Sequence, residues 1–214
     1  MRLVLPRLYV ILDAALLTIP ETECARKFAD AGVRLLQYRN KSASSRELFE
    51  SSRRLSSQLA PQGLSFVVND RADVASLAEA TGVHVGQEDL SVEAARRVVG
   101  TEKWVGVSTH NLEQFERAAA TSADYIAVGP VFSTSTKANP DPVVGIDFIR
   151  RIRALTNKPI VAIGGITLDR AAEVIRAGAD SVAVVSDILR APDPGRRARQ
   201  YIALLEAANH AAAD

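Results

Sequence analysis

The chain has 214 residues, with 26 Lys plus Arg against 25 Asp plus Glu and a formal net charge of +1. Neither sign dominates, which removes the electrostatic case for a nucleic acid or an anionic membrane as partner. An apolar share of 47% and a charged share of 24% fit a soluble globular chain and exclude a disordered one, and the single Cys24 excludes an intrachain disulfide or a cysteine-based metal cluster.

Arg2 and Arg7 lead into the apolar run Leu8–Leu12 in a way that imitates a signal peptide. Asp13 interrupts that run and no small-x-small cleavage site follows, so it reads as a first strand. No segment reaches the roughly 18 to 20 apolar residues of a membrane helix, and the expected address is the cytoplasm. A helix start follows, with Thr18 and Glu21 spaced as a capping box and Pro20 in the first turn. Cys24 lies on this helix and reads as packing. Gly32 ends it before the second run, Leu35–Tyr38. Ser44 and Glu47 form a second capping box, ahead of Leu48, Leu55 and Leu59 at helical spacing. Gly63 stops that helix, and the runs Ser65–Val68, Val83–Val85 and Trp104–Val107 come next. Asn111 and Gln114 fit a third box, and Tyr125–Val128 is the sixth run. From Gly129 to Val144 neither helical nor strand period appears, and a stretch this long reads as a lid over a site. Ile146, Ile149, Ile152 and Leu155 then mark a helix, followed by the runs Ile160–Ile163 and Ser181–Val184 with Gly178 between them. The Ala-rich tail from about Ala207 reads as a frayed helix end.

The runs are rich in Val and Ile and nearly free of charge, as strands of a parallel sheet covered on both faces are. Eight such strands alternating with eight helices leave an open doubly wound sheet or a closed barrel. The first turn, Asp13-Ala14-Ala15, lacks the glycines of a doubly wound nucleotide site. The pattern therefore predicts an α/β fold, a single-domain (β/α)8 TIM barrel spanning residues 1–214, with no linker to divide it.

In such a barrel the chemistry sits just past the C-terminal strand ends. There the chain carries Gln37, Arg39 and Lys41 on one side by alternation, then Asn69-Asp70, Asp89, Ser108 and the segment through Lys137. Gly164-Gly165 and Val185-Ser186 follow the last two runs. Arg39, Lys41 and Lys137 are cations, and Asp70 and Asp89 are hard oxygen ligands; together they suit a diphosphate bound through Mg²⁺. Two charges 4 Å apart interact by ~4 kcal/mol at an effective dielectric near 20, so two carboxylates in one pocket call for a cation between them. The glycine pair with Ser186 suits a second, phosphate site. Simpler readings stand beside these. Asn69 or Asp70 alone reads equally as a helix N-cap, Ser186 as a cap of the last helix, and His84 as a satisfied core histidine. His110 lies where it could line the site.

The pieces Gln37-Tyr38-Arg39-Asn40-Lys41, Val68-Asn69-Asp70, His84 through Leu90, Gly106-Val107-Ser108, Gly129 through Lys137 and Ile163 through Ile166 together resemble the thiamine phosphate synthase family. The resemblance runs from about Tyr9 to Ile188. It implies a transferase that joins 4-amino-5-hydroxymethyl-2-methylpyrimidine diphosphate to hydroxyethylthiazole phosphate, releasing diphosphate with the help of Mg²⁺. It implies Gln37, Arg39, Lys41, Asn69, Ser108 and Lys137 as pyrimidine-diphosphate contacts, with Arg39, Lys41, Ser108 and Lys137 as the catalytic set. Asp70 and Asp89 become the metal ligands. Thr134, Thr136, Gly165, Val185 and Ser186 become the thiazole-phosphate contacts, the last two through backbone groups. Tyr38 and Asn40 depart from the Leu and acid common in the family; alternation points both away from the site, toward packing. The implied partners are these small molecules, and self-association is left open. Rival readings are a thiazole tautomerase-like or non-catalytic ligand-binding relative on the same barrel, or a phosphosugar isomerase; none of them needs the full set of cations and aspartates.

Overall fold

A computed structural model describes residues 3–134, 136 and 141–210. Eight strands pair in parallel and in chain order: β1 (Leu8–Asp13), β2 (Leu35–Arg39), β3 (Ser65–Asn69), β4 (Gly82–Val85), β5 (Trp104–Thr109), β6 (Tyr125–Val128), β7 (Ile160–Ile163) and β8 (Ser181–Val184). β8 returns to β1, with Leu8 opposite Val182 and Val10 opposite Val184, so the sheet is a closed barrel. The expected (β/α)8 TIM barrel is the fold.

The charge-free strands carry two cores, one on each face of the sheet. Val10, Leu12, Leu36, Tyr38, Phe66 and Val68 face outward into the layer beneath the helices. Their neighbours by alternation, among them Tyr9, Ile11, Leu35, Val67, Tyr125 and Val161, fill the barrel interior. At ~25 cal/mol per Å² of buried apolar surface, each such Val, Leu or Ile contributes about 1.5–3 kcal/mol.

The outer helices are α1 (Glu21–Asp30), α2 (Ser45–Leu59), α3 (Ala72–Leu77), α4 (Val92–Val99), α5 (Leu112–Ala119), α6 (Ile146–Arg153) and α7 (Leu168–Arg176). α2 begins with the expected box: the Ser44 hydroxyl accepts from Glu47 N, and the Glu47 carboxylate accepts from Ser44 N at 2.8 Å. Asn111 also caps α5, but the Gln114 side chain reaches one residue further back and accepts from His110 N at 2.7 Å. The box expected at Thr18 does not form. Pro20 is the N-cap of α1 and makes no side-chain bond, and its missing N–H costs nothing at a helix start. Gly32 and Gly178 follow the ends of α1 and α7 at φ of +91° and +114°, as their placement predicts, whereas α2 ends at Leu59 and Gly63, at φ +66°, closes the 3-10 turn Ala60–Gln62 that comes after it.

After β8 the pattern of one helix per strand breaks. A single turn, α8 (Ser186–Leu189), gives way to a long helix, α9 (Pro194–His210), which packs on α1 and α7. Pro192 and Pro194 explain the interruption, because neither can continue a helix begun at Ser186. The Ala-rich tail is helical through His210, with Ala208 buried, so fraying does not begin at Ala207; residues 211–214 lie outside the described part. Among the described residues no helix is long and apolar enough to cross a membrane.

Candidate active site

The C-terminal end of β2 brings Gln37 and Arg39 inward. Arg39 Nη1 donates to Asp13 Oδ2 at 2.5 Å, joining the ends of β2 and β1. Asp13 is 4% exposed, and its other oxygen accepts from Ala15 N at 3.1 Å. The guanidinium is thus held across the mouth with part of its fork open to solvent. Tyr38 turns outward into the helix-facing core, and Asn40 folds the next turn by accepting from Ser42 N and Ala43 N. Both departures from the family motif therefore serve packing and loop shape, as alternation suggests.

The carboxylates on the next two strand ends converge. Asp70 follows β3 with φ +65°, a left-handed conformation, and its N–H donates to His84 O on β4 at 2.7 Å. Asp tolerates this region better than most residues, and strain of this kind concentrates at functional sites. Asp89, in the loop after β4, accepts from Gly86 N through Oδ2 at 2.7 Å. Burial raises the Asp89 carboxyl above its ordinary pKa, and the adjoining Asp70 carboxyl raises it further, while the Gly86 N–H and the Lys41 charge oppose the shift. Lys41 Nζ sits 2.6 Å from Asp70 Oδ2. Neither aspartate caps α3: Arg71 holds that place without a side-chain bond, and the N-cap reading of Asn69 and Asp70 falls.

Among the described residues no group of three or more His, Cys, Asp or Glu could hold an ion. Two converging carboxylates fit magnesium nonetheless, since Mg²⁺ is commonly held by one or two carboxylates while keeping waters and substrate phosphate oxygens. The unfavourable proximity of Asp70 and Asp89 is what a divalent cation would relieve.

A second group gathers beyond β6, β7 and β8. Thr136 N donates to Thr134 Oγ1 at 3.3 Å, and Thr136 Oγ1 lies 3.5 Å from Ser186 Oγ. Gly165 stands beside them at φ +63°, where an added Cβ would meet Ser133 O at 2.3 Å. Only glycine fits there. Val185 precedes α8 as its N-cap and makes no side-chain cap bond. The root of the expected lid is tied down, because Val131 N donates to Ile163 O at 2.9 Å and Phe132 N to Gly164 O at 3.0 Å. Ser135 and residues 137–140, and with them the predicted site residue Lys137, lie outside the described residues.

Between the two groups, Ser108 and His84 face the interior from β5 and β4, with Ser108 Oγ 2.9 Å from His84 Nε2. His84 is buried and hydrogen-bonded, as a core histidine should be. Asn69 ends β3 in register with His84. His110 Nδ1 lies 2.6 Å from Gly129 O, so it braces the start of the loop after β6. Burial pushes the Cys24 thiol up to about 11, which agrees with packing and not with a nucleophile. Sequence reasoning missed Asp13, the partner of Arg39, although it stands at a strand end. Gly106 enters the family resemblance, but no local pattern gives it a role. A Cβ there would lie 2.0 Å from Tyr125 Cζ, so this glycine is the space the tyrosine ring occupies.

A family model described as thiamine monophosphate synthase matches residues 8–188. A thiamine-phosphate synthase of Koribacter versatilis is 51% identical over 94% of this chain and 96% of its own length. One from Chloroflexus aurantiacus is 44% identical over 93% and 92%. Among solved structures, a thiamine phosphate pyrophosphorylase from Pyrococcus furiosus superposes with a TM-score of 0.86 at 33% identity, covering 95% of this chain and 96% of that one.

Proposed function

The chain belongs to the thiamine monophosphate synthase family and is an enzyme, and we propose that it joins 4-amino-5-hydroxymethyl-2-methylpyrimidine diphosphate to hydroxyethylthiazole phosphate, giving thiamine phosphate and diphosphate. One observation carries the reading. Two chemically different polar groups flank a polar centre at one end of the barrel: Arg39, Lys41, Asp70 and Asp89 on the side of β2 to β4, and Thr134, Thr136, Ser186 and the bare Gly165 backbone on the side of β6 to β8. A diphosphate suits the first and a phosphate monoester the second.

Arg39 and Lys41, with Lys137 added by the family resemblance, offset the charge that grows on the departing diphosphate. Asp13 keeps the Arg39 guanidinium from collapsing onto other acceptors. Magnesium bound by Asp70 and Asp89 would add positive charge at the diphosphate oxygens. The substitution runs dissociatively. The methylene C–O bond breaks, its electron pair leaves with diphosphate, and the aminopyrimidine ring spreads the positive charge left on carbon. The thiazole nitrogen then supplies the pair for the new C–N bond. Gln37, Asn69 and Ser108 orient the ring, while Thr134, Thr136, Gly165, Val185 and Ser186 hold the thiazole phosphate within reach of the methylene carbon. No residue of the site forms a covalent bond.

The test is incubation of the purified protein with both substrates and Mg²⁺. Thiamine phosphate and diphosphate are expected in equal amounts. No thiamine phosphate, or diphosphate released without it, would refute the reading.

A further inference from the structure

The turn that carries Ser186 is held from behind by the last helix. Asp187 follows Ser186 in α8, and its carboxylate is taken up by two side chains of α9. Tyr201 OH donates to Asp187 Oδ2 at 2.7 Å. Arg197 Nε lies 3.1 Å from the same oxygen, and Arg197 Nη2 donates to Asp187 Oδ1 at 3.3 Å. Arg197 Nε also reaches the Asp187 carbonyl oxygen at 3.4 Å. Tyr201 is fully buried, and burial together with the Asp187 carboxylate raises its pKa, so the hydroxyl keeps its proton and acts as the donor. The same hydroxyl lies 3.4 Å from Ile166 O, next to Gly165. One side chain of α9 thus touches both turns assigned to the thiazole phosphate, the one after β7 and the one after β8.

Charge matters here as well as bonding. An acid in the first turn suits a helix start, and α8 has Asp187 there as α7 has Asp169. The same acid is unwelcome to an anionic ligand. Consecutive Cα atoms are ~3.8 Å apart, so a carboxylate at Asp187 stands well within the ~8–10 Å screening length of a phosphate ester at Ser186. The Asp187 side chain is only 16% exposed, so solvent screens it poorly, and Arg197 supplies the opposing charge. The Arg197 charge also acts on Asp169. One arginine therefore answers the acids that open both helices beyond the two turns.

We propose that Arg197 and Tyr201 are positioning residues for the thiazole-phosphate site: Arg197 cancels the Asp187 charge on the side of α9, and Tyr201 ties the Gly165 turn to the Ser186 turn, so that the phosphate ester is not opposed by the acid that α8 carries. The inference rests on the functional reading above. A tie that served stability alone would shift the unfolding transition and leave the two substrates equally well bound by the folded protein.

Steady-state kinetics test this through the KM for each substrate in the unaltered protein, Arg197→Gln, Asp187→Asn, the two substitutions together, and Tyr201→Phe. Arg197→Gln is expected to raise the KM for the thiazole phosphate by ~10-fold, since it leaves Asp187 uncompensated. The KM for the pyrimidine diphosphate, bound across the barrel, should stay within ~2-fold. Adding Asp187→Asn should bring the thiazole-phosphate KM back to within ~3-fold of the unaltered value, although the ion pair is then gone altogether. Tyr201→Phe should raise the same KM by ~3-fold or more and spare the other. A thiazole-phosphate KM unmoved by Arg197→Gln or by Tyr201→Phe, an equal rise for both substrates, or a rise that Asp187→Asn does not relieve would overturn the inference. Asp187→Asn alone should leave that KM equal or lower, and a rise there would overturn the inference even if Arg197→Gln does not fold. Absence of thiamine phosphate formation by the unaltered protein would instead refute the functional reading, and the inference with it.

Discussion

The Gly106→Ala substitution tests whether the interior is built as described. The new Cβ would lie 2.0 Å from Tyr125 Cζ and 2.4 Å from its hydroxyl oxygen. Restoring ordinary contact at about 3.4 Å requires the ring to retreat by ~1.4 Å. Its bonds to Tyr9 and His84, now 3.0 and 3.1 Å long, do not survive that movement. Overpacking costs about 1–3 kcal/mol and a stranded hydroxyl about 1–3 more. Alanine returns ~0.4–1 kcal/mol by restricting the unfolded chain. The net expected loss is ~1–6 kcal/mol, a large part of the roughly 5–15 kcal/mol of a typical domain. The assay is urea unfolding followed by the fluorescence of Trp104, the chain's one tryptophan, which packs against the interior cluster. Tyr125→Leu removes the three atoms nearest that Cβ, the Tyr125 Cζ, Cε2 and hydroxyl oxygen, so in that background Gly106→Ala should be neutral or slightly stabilising. The coupling between the two sites is then the size of the clash. A cost below ~1 kcal/mol in the unaltered protein, or the same cost in both backgrounds, would refute this account of the glycine.

Asp70→Ala and Asp89→Ala should each raise the Mg²⁺ concentration for half-maximal turnover by at least ~10-fold while leaving the unfolding transition in place; unchanged titrations in both would remove the metal assignment. Gly165→Val should raise the KM for the thiazole phosphate by ~10-fold or more, with little effect on pyrimidine-diphosphate affinity, and an equal loss for both would show the two anion sites wrongly divided. Asp13→Asn should cost about 1.5–3 kcal/mol in urea unfolding and raise the KM for the pyrimidine diphosphate, since Arg39 loses its charged partner; wild-type values for both would make that ion pair incidental. Lys137→Ala should slow diphosphate release in a single turnover by ~10²–10³-fold, and an unaltered rate would take Lys137 out of the catalytic set.

The barrel was legible because each strand is a charge-free run bounded by turn residues, and closure was the choice left once the first turn, Asp13-Ala14-Ala15, lacked the glycines of an open doubly wound sheet. The strand-end residues could be read for the same reason: polar side chains stand out where apolar runs stop. What escaped notice lay inside the strands. Tyr9 and Tyr125 look like ordinary β-formers, and Gly106 like a weak point in a strand. Their meaning depends on which residues face each other across the barrel, which no local pattern encodes. Asp13 was visible, but its pairing with Arg39 depends on the register between β1 and β2. The capping box expected at Thr18 failed because Pro20 begins the helix two residues later, where it needs no cap bond.

The separation of the two cores by the sheet has a consequence for how this protein can change. The layer under the helices is mostly aliphatic, with Phe28, Phe66, Phe115 and Tyr201 among it, and its strand residues point away from Gln37, Arg39 and Ser108 by alternation. Substitutions at those strand positions trade one hydrocarbon shape for another, and tune endurance to heat or denaturant with the chemistry left alone. Inside the barrel a lost hydroxyl or an added methyl is felt along the bonded partners Tyr9, Tyr125, His84 and Ser108. One wall of backbone thus lets durability and selectivity drift on separate clocks, and a stabilised variant is best sought on the outward side of every strand.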